Sequence, residues 1–179
     1  HVIKGIENDQ MMEEIRSFAD RFESIRVGKA LLSSEEDFRQ AIAAVMEEHQ
    51  DLGEQEALVL MGHGTEHHVN PVYAALDYMF KDLGYGNVHV GTVEAYPSFD
   101  SMLRLLKASH AKKVRLAPFM VVAGDHAMND MAGEEEDSWK SLLEAEGYEV
   151  SCALKGLGEY KGIQKLYAEH AVQAEILEP

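Results

Sequence analysis

Short apolar runs that alternate with helical patterns dominate the later part of this chain. The runs typical of strands are Ala57–Met61, Val88–Val93, Val114–Ala117 and Tyr148–Ala153. Helical spacing of apolar residues follows them at Pro71–Leu83, Phe99–Ala108, Glu134–Glu146 and Gly162–Ile176. Neighbouring parallel strands need a long crossover connection, which is usually a helix. The sequence therefore predicts an α/β fold built on a parallel sheet of four strands.

The start of the chain carries the same order of elements in a weaker form. Helical spacing occurs at Met11, Ile15, Phe18 and Phe22. Val27–Leu32 is the next predicted strand, and Ser34 with Asp37 resembles the capping box that begins a helix. The opening residues His1-Val2-Ile3-Lys4-Gly5 also echo Met120-Val121-Val122-Ala123-Gly124. This echo predicts that an earlier, similar half-domain is only partly represented here.

Three parts follow from this organisation. Residues 1–52 are predicted to be the remainder of an N-terminal α/β half, with an acidic linker at its end. Residues 53–160 should form a C-terminal half that carries the functional site. Residues 161–179 should form a C-terminal helix that packs back on the N-terminal half.

The chain is strongly acidic, with a formal net charge of −16 from 16 basic and 32 acidic residues. Nucleic acids and anionic membranes are bound through clustered Lys and Arg, so neither is an expected partner. The single cysteine, Cys152, excludes an internal disulfide and a cysteine-rich metal cluster. No apolar run approaches the length of a transmembrane helix. A cytoplasmic location is expected, and a periplasmic one stays open because the chain begins at His1 without an initiator Met.

Three of the predicted strands lead into loops that carry a metal-capable side chain. These side chains are His63, Glu94 and His126. Ligands of open parallel sheets bind just beyond the carboxyl ends of the strands, so two imidazoles and one carboxylate should converge on one crevice. Structural roles remain alternatives for each residue taken alone, since His63 lies between glycines and Glu94 could cap a strand end.

The segment around His126 is a second indication of function. Residues 123–133 form a glycine-bounded loop of about ten residues, and loops of this length in compact domains are usually functional. It holds several polar or metal-capable side chains, namely Asp125, His126, Asn129 and Asp130. The acidic run Glu134–Asp137 that follows is most simply explained as charge that complements a helix dipole.

Five strings of residues resemble the anaerobic-type sirohydrochlorin cobaltochelatases of the class II chelatase superfamily. The strings are Met61-Gly62-His63-Gly64, Val93-Glu94-Ala95-Tyr96-Pro97, Val122 to Met131, Asp137-Ser138-Trp139-Lys140 and Gly156-Leu157-Gly158-Glu159. The resemblance implies two similar parallel-sheet halves, of the flavodoxin or Rossmann type, around a tetrapyrrole cleft. It also implies that His63, Glu94 and His126 are the metal-binding and catalytic residues. The chain departs from the family at its start, where family members carry several more βα units.

The activity that the resemblance implies is insertion of Co²⁺ into sirohydrochlorin during anaerobic cobalamin biosynthesis. Insertion removes two pyrrole N–H protons, and histidine can both accept protons near neutral pH and hold a metal. Imidazole and carboxylate ligands also suit Fe²⁺, Ni²⁺ and Zn²⁺, so the ligand set does not select cobalt. No organic cofactor is expected. A homo-oligomer stays open.

Two other functions are compatible with the same residues. Nine histidines and nine methionines in an acidic chain could describe a metal or haem carrier, with His67, His68 or His1 as ligands. A metal-dependent hydrolase could use His63, Glu94 and His126 to activate a bound water. Turnover of a tetrapyrrole substrate would separate the chelatase from the carrier, and hydrolysis of generic esters would reveal the hydrolase.

Overall fold

The computed structural model describes residues 1–177 and contains one sheet of four parallel strands. The strands are β1 (Glu56–Gly62), β2 (Val88–Thr92), β3 (Lys113–Pro118) and β4 (Glu149–Cys152). Their order is β2-β1-β3-β4, with β1 paired to β2 and β3, and β3 paired to β4. The predicted α/β fold and its four parallel strands are confirmed.

Six α-helices accompany the sheet. They are α1 (Ile6–Ser17), α2 (Glu35–Glu48), α3 (Val72–Asp82), α4 (Phe99–Ala108), α5 (Trp139–Ala145) and α6 (Lys161–Val172). The Ser34 hydroxyl accepts a hydrogen bond from the Asp37 N–H at 3.2 Å, so the predicted cap of α2 is present. Helix α5 begins later than predicted, because Ser138 caps it and accepts from the Ser141 N–H at 3.1 Å.

The helices cover both faces of the sheet. Side chains of β1 alternate between the faces, as those of a strand do. Leu58 and Leu60 join the cluster that contains α2, α3 and α6. Val59 and Met61 join the cluster that contains α4 and α5. This arrangement leaves the carboxyl ends of the strands as the open edge at which a site can form.

The predicted strand at Val27–Leu32 is wrong. The segment is bonded to the start of the chain by only two main-chain hydrogen bonds, from Leu31 N–H to His1 O (3.0 Å) and from Leu32 N–H to Val2 O (2.9 Å). An isolated bridge joins Arg26 to Ile176. A strand needs a longer ladder of paired neighbours, and residues 1–177 do not provide one at this place.

Helix α6 packs against residues from the first part of the chain. His170 Nε2 lies 2.9 Å from Asp37 Oδ1, and both side chains are buried. The Tyr167 hydroxyl donates to the His1 carbonyl at 2.9 Å. Helix α2 shares an apolar cluster with β1, whereas α1 has no buried residue. The division into parts at residues 52 and 160 stays a prediction.

A buried histidine on β2 should make the fold sensitive to acid. His89 is buried and neither ring nitrogen has a hydrogen-bond partner. Burial, with a smaller effect from the Lys81 charge, lowers the pKa of His89 to about 4. The unfolded chain, with a pKa of about 6.5, binds more protons in that window, so stability decreases as the pH falls from about 6.5 towards 4. The full effect is roughly 3 kcal/mol.

The measurement is urea unfolding of the wild type and His89→Leu at neutral and mildly acid pH. We expect the variant to lose much less free energy of unfolding on acidification. His110→Gln, at an exposed position between α4 and β3, serves as the control and should behave as the wild type does. Equal slopes for the wild type and His89→Leu would contradict the assignment.

Candidate metal site

His63 and Glu94 lie side by side because the pairing of β1 with β2 continues beyond the strands. The Val93 N–H donates to Gly62 O at 3.0 Å, and the Glu94 N–H donates to His63 O at 3.0 Å. The two loops therefore leave the sheet together. Gly64 has a φ of +85°, and a Cβ there would lie 2.9 Å from the Ala95 nitrogen. Only glycine allows this approach without strain.

Asn70 holds the same two loops together. Its Oδ1 accepts from the Thr65 N–H at 3.1 Å, and its Nδ2 donates to the Tyr96 carbonyl at 2.6 Å. An Asn followed by Pro is typical of a helix start, but the first helical residue here is Val72, one residue after Pro71. Asn70 instead fixes the distance between the loops of His63 and Glu94.

Tyr73 supports the His63 loop from below. Its ring lies directly under Gly62, where a Cβ would collide with it. Burial raises the pKa of the Tyr73 hydroxyl, and hydrogen bonds from the main chain of Gly64 and His63 oppose that rise. The His63 loop therefore packs against the buried, neutral side chain of Tyr73.

His126 lies at the same edge of the sheet as His63 and Glu94, but a longer segment separates it from its strand. The predicted loop at 123–133 contains a π-helical turn, His126–Met131, whose Ala127 and Met131 are buried. Residues 119 and 120, which lie between β3 and this turn, are held by main-chain hydrogen bonds. The Phe119 N–H donates to Met61 O (2.7 Å), and Met120 O accepts from the Leu157 N–H (2.8 Å). The Gly156-Leu157-Gly158 string thus docks on the segment that carries His126.

The three predicted side chains come together. One ligand atom each from His63, Glu94 and His126 lies within 4.8 Å of the others, and this is the only such group of three within residues 1–177. The imidazole rings of His63 and His126 are 4.7 Å apart and nearly perpendicular, at 81°. Ligand atoms at about 2.1 Å from a tetrahedral ion lie about 3.4 Å apart, so small side-chain rotations suffice to close the site.

The hydrogen bonds of the two histidines differ. His126 Nδ1 lies 2.5 Å from Asp130 Oδ2, which is a hydrogen-bond acceptor when ionised. With an ionised Asp130, this contact favours the neutral imidazole tautomer in which Nδ1 carries the proton and Nε2 has the free lone pair. His63 Nδ1 lies 2.9 Å from the Gly64 carbonyl oxygen and 3.6 Å from Glu94 Oε2.

His67 and His68 are not part of this group. His67 Nδ1 accepts a hydrogen bond from the Val69 N–H at 3.2 Å, so its Nε2 carries the proton. That Nε2 faces Asp9 Oδ2 at 3.4 Å, and the His68 ring packs on His67 at 4.0 Å. In this arrangement the Nε2 of His67 faces the Asp9 carboxylate of α1, and His67 offers no lone pair to a metal.

Comparison with known proteins identifies the family of the chain. The model of the cobalt chelatase (CbiK) family matches residues 1–176. The chain belongs to this cobalt chelatase family. A sirohydrochlorin cobaltochelatase of Salmonella typhimurium is 37% identical over 174 residues, covering 97% of this chain and 66% of that protein. The sirohydrochlorin cobaltochelatase CbiKC of Nitratidesulfovibrio vulgaris is 34% identical over 178 residues, covering 97% and 62%.

The chain spans 66% and 62% of the lengths of these two cobalt chelatase relatives. Two solved structures share its fold. The sirohydrochlorin chelatase SirB of Bacillus subtilis subspecies spizizenii, solved in complex with cobalt, has a TM-score of 0.56 at 15% identity, over 91% of this chain and 61% of that one. The multi-domain protein DR2241 of Deinococcus radiodurans has a TM-score of 0.53 at 15% identity, over 77% and 32%.

Three large apolar side chains that are close in sequence to the site residues are exposed. Tyr96, Val122 and Met128 are 62%, 70% and 52% exposed, and each lies within four residues of Glu94 or His126 in the sequence. Exposed apolar side chains that lie close together can mark a ligand or partner site. The sequence predicted the three polar site residues but not these three exposed apolar residues, because single apolar residues in loops have no periodic pattern.

Among residues 1–177, no helix has both the length and the apolar character that a membrane span requires.

Proposed function

We propose that this protein inserts Co²⁺ into sirohydrochlorin as a step of anaerobic cobalamin biosynthesis. The observation that carries the proposal is the convergence of His63, Glu94 and His126 at the strand ends of a chain that belongs to the cobalt chelatase family. The two curated relatives carry the name of this activity. The metal is a substrate, so the three side chains bind it transiently.

The residues present fit the chemistry of insertion. An imidazole with a free Nε2 lone pair can bind the ion or accept a pyrrole proton, which gives His126 two uses at one atom. Glu94 is exposed and supplies negative charge that lowers the net charge of the bound ion. The neighbouring His63 ring, 4.7 Å from that of His126, places a second base within reach of the same macrocycle.

The surroundings of the site fit a flat macrocycle. Tyr96, Val122 and Met128 offer apolar area beside the polar cluster, as a tetrapyrrole ring requires. The acidic chain repels a substrate with many carboxylates at long range, so local main-chain N–H groups at helix starts are expected to bind them. We also assign the reaction to the cytoplasm, in keeping with a chain whose single cysteine is free.

The test is an insertion assay with purified protein, sirohydrochlorin and Co²⁺, followed by the change of the tetrapyrrole absorption spectrum. We expect turnover above the spontaneous rate, with Co²⁺ used in preference to Zn²⁺. Stoichiometric binding of metal or haem without turnover would support the carrier instead. Hydrolysis of ester or phosphoester substrates without insertion would support the hydrolase.

We also propose that residues 1–52 belong to an N-terminal half that is completed in the longer protein. A cleft of about 710 Å³ lies between α1 and residues 24–28, and its lining includes Ile15, Phe18 and Phe22. Apolar surface of this kind needs a cover, and the relatives are longer than this chain. Residues 161–177 would then connect the two halves, since α6 already contacts α2.

The extent of exposed apolar surface tests this domain proposal. We expect the 179-residue chain to bind a hydrophobic dye such as ANS, and a protein that carries the additional N-terminal third to bind much less. Phe22→Ser in the shorter chain should also reduce dye binding, whereas Tyr78→Ser, at an exposed position on α3, should change it little. Equal dye binding by the short and long proteins would contradict the proposal.

A further inference from the structure

We propose that Asp130 is a positioning residue that fixes the tautomer and the ring orientation of His126. Its effect on cobalt insertion rests on the function proposed above. Its effect on the His126 ring does not, because that ring can be observed in the protein without metal.

The π-helical turn brings the two side chains into contact. His126 Nδ1 lies 2.5 Å from Asp130 Oδ2, which is short for a hydrogen bond between a nitrogen and a charged oxygen. Both main-chain positions are anchored, because Ala127 and Met131 of the same turn are buried. Gly133 closes the turn by donating to Asn129 O at 3.0 Å, and a Cβ at Gly133 would collide with that oxygen.

The Asp130 carboxylate affects the His126 imidazole in three ways. It accepts from Nδ1, so it selects the tautomer in which Nε2 carries the free lone pair. It restricts rotation of the ring, so that lone pair keeps one direction. It also increases the electron donation of Nε2 towards an ion, as carboxylate partners of metal-binding histidines do.

His63 has a weaker carboxylate contact, because Glu94 Oε2 lies 3.6 Å from its Nδ1. Its Nδ1 lies against the neutral carbonyl of Gly64 at 2.9 Å. The two histidines are therefore expected to differ, with His126 the more strongly donating and the more rigidly oriented of the pair.

An exposed ion pair without influence on the site predicts a different result. The two side chains are 33% and 48% exposed, and pairs at such positions contribute little to stability. Loss of the contact should then change neither the melting temperature nor any property of the site.

The experiment compares Asp130→Asn and Asp130→Ala with the wild type at one fixed pH. The first readout is the tautomer of His126 in the metal-free protein, from its ¹⁵N shifts by NMR. The second is the Kd for Co²⁺ by calorimetry, with the visible absorption bands of the bound ion. We expect Asp130→Ala to give a mixture of tautomers and a Kd roughly 10-fold to 100-fold higher, at an unchanged melting temperature. Asp130→Asn should lie between Asp130→Ala and the wild type, because its amide oxygen can still accept from Nδ1.

Glu136→Gln is the matched control, since it removes one charge from an exposed position near the same turn. It should leave the tautomer and the Kd at the wild-type values. An unchanged His126 tautomer in Asp130→Ala would overturn the proposal. A wild type that binds no Co²⁺, but whose His126 tautomer depends on Asp130, would instead overturn the proposed function and leave the positioning role standing.

Discussion

Replacing His63 or His126 by alanine is expected to lower the rate of cobalt insertion by roughly 10²-fold to 10⁴-fold. In the proposed function each imidazole binds the ion or accepts a pyrrole proton, and water cannot take over either role at a fixed position. The two side chains are 39% and 33% exposed, so their loss should change the free energy of unfolding by less than about 1 kcal/mol.

The measurement is the insertion rate under saturating Co²⁺, together with the melting temperature of each variant. Glu94→Gln keeps the size of the side chain and removes its charge, so we expect weaker Co²⁺ binding with a smaller loss of rate at saturation. His110→Ala, at an exposed position outside the site, is the control and should retain full activity. Parallel losses of activity and melting temperature would show that the two histidines are structural.

The approach of His63 and Glu94 could be predicted because it depends on topology alone. His63 and Glu94 follow strands that are neighbours in a parallel sheet, and their carboxyl ends meet at one edge. His126 lies further from its strand. The hydrogen bond from the Leu157 N–H to Met120 O holds the intervening segment, so that His126 lies at the same edge. The pattern of apolar runs predicts the order of strands and helices. That order in turn determines at which edge of the sheet the loops lie.

The contacts that shape the site could not be predicted in the same way. The π-helical turn at His126–Met131 has no periodic pattern that distinguishes it from a loop. Asn70 followed by Pro71 is typical of a helix start, and the tertiary contact with the Tyr96 carbonyl overrides that preference. Both features arise from pairing between distant segments, which one sequence does not reveal.

The distribution of positive charge is another property that only the fold reveals. The basic residues are scattered in the sequence, but Lys4, Arg16 and Lys29 line one cleft beside α1, which also includes Glu175. Most other cations, such as Lys81 and Arg115, are paired with nearby carboxylates. The lining of this cleft therefore holds more basic than acidic side chains, although the net charge of the chain is −16.

A methyl group at Gly156 is expected to disturb both the fold and the site. A Cβ there would lie 2.5 Å from the Val121 carbonyl oxygen and 2.8 Å from the Ala123 nitrogen, and main-chain atoms cannot move aside cheaply. Gly156→Ala should therefore lower the free energy of unfolding by roughly 1–3 kcal/mol. Because the displaced segment leads directly to His126, Co²⁺ binding should weaken as well.

Urea unfolding and calorimetric titration with Co²⁺ check the two parts of this prediction separately. Gly86→Ala is the matched control, since its Cβ would meet nothing within 4 Å, and it should change neither quantity appreciably. If Gly156→Ala is destabilised but binds Co²⁺ as tightly as the wild type, the docking of residues 156–158 supports the fold without setting the position of His126. If neither property changes, the segment from Val121 to Ala123 is free to move, and the close approach at Gly156 does not constrain the site.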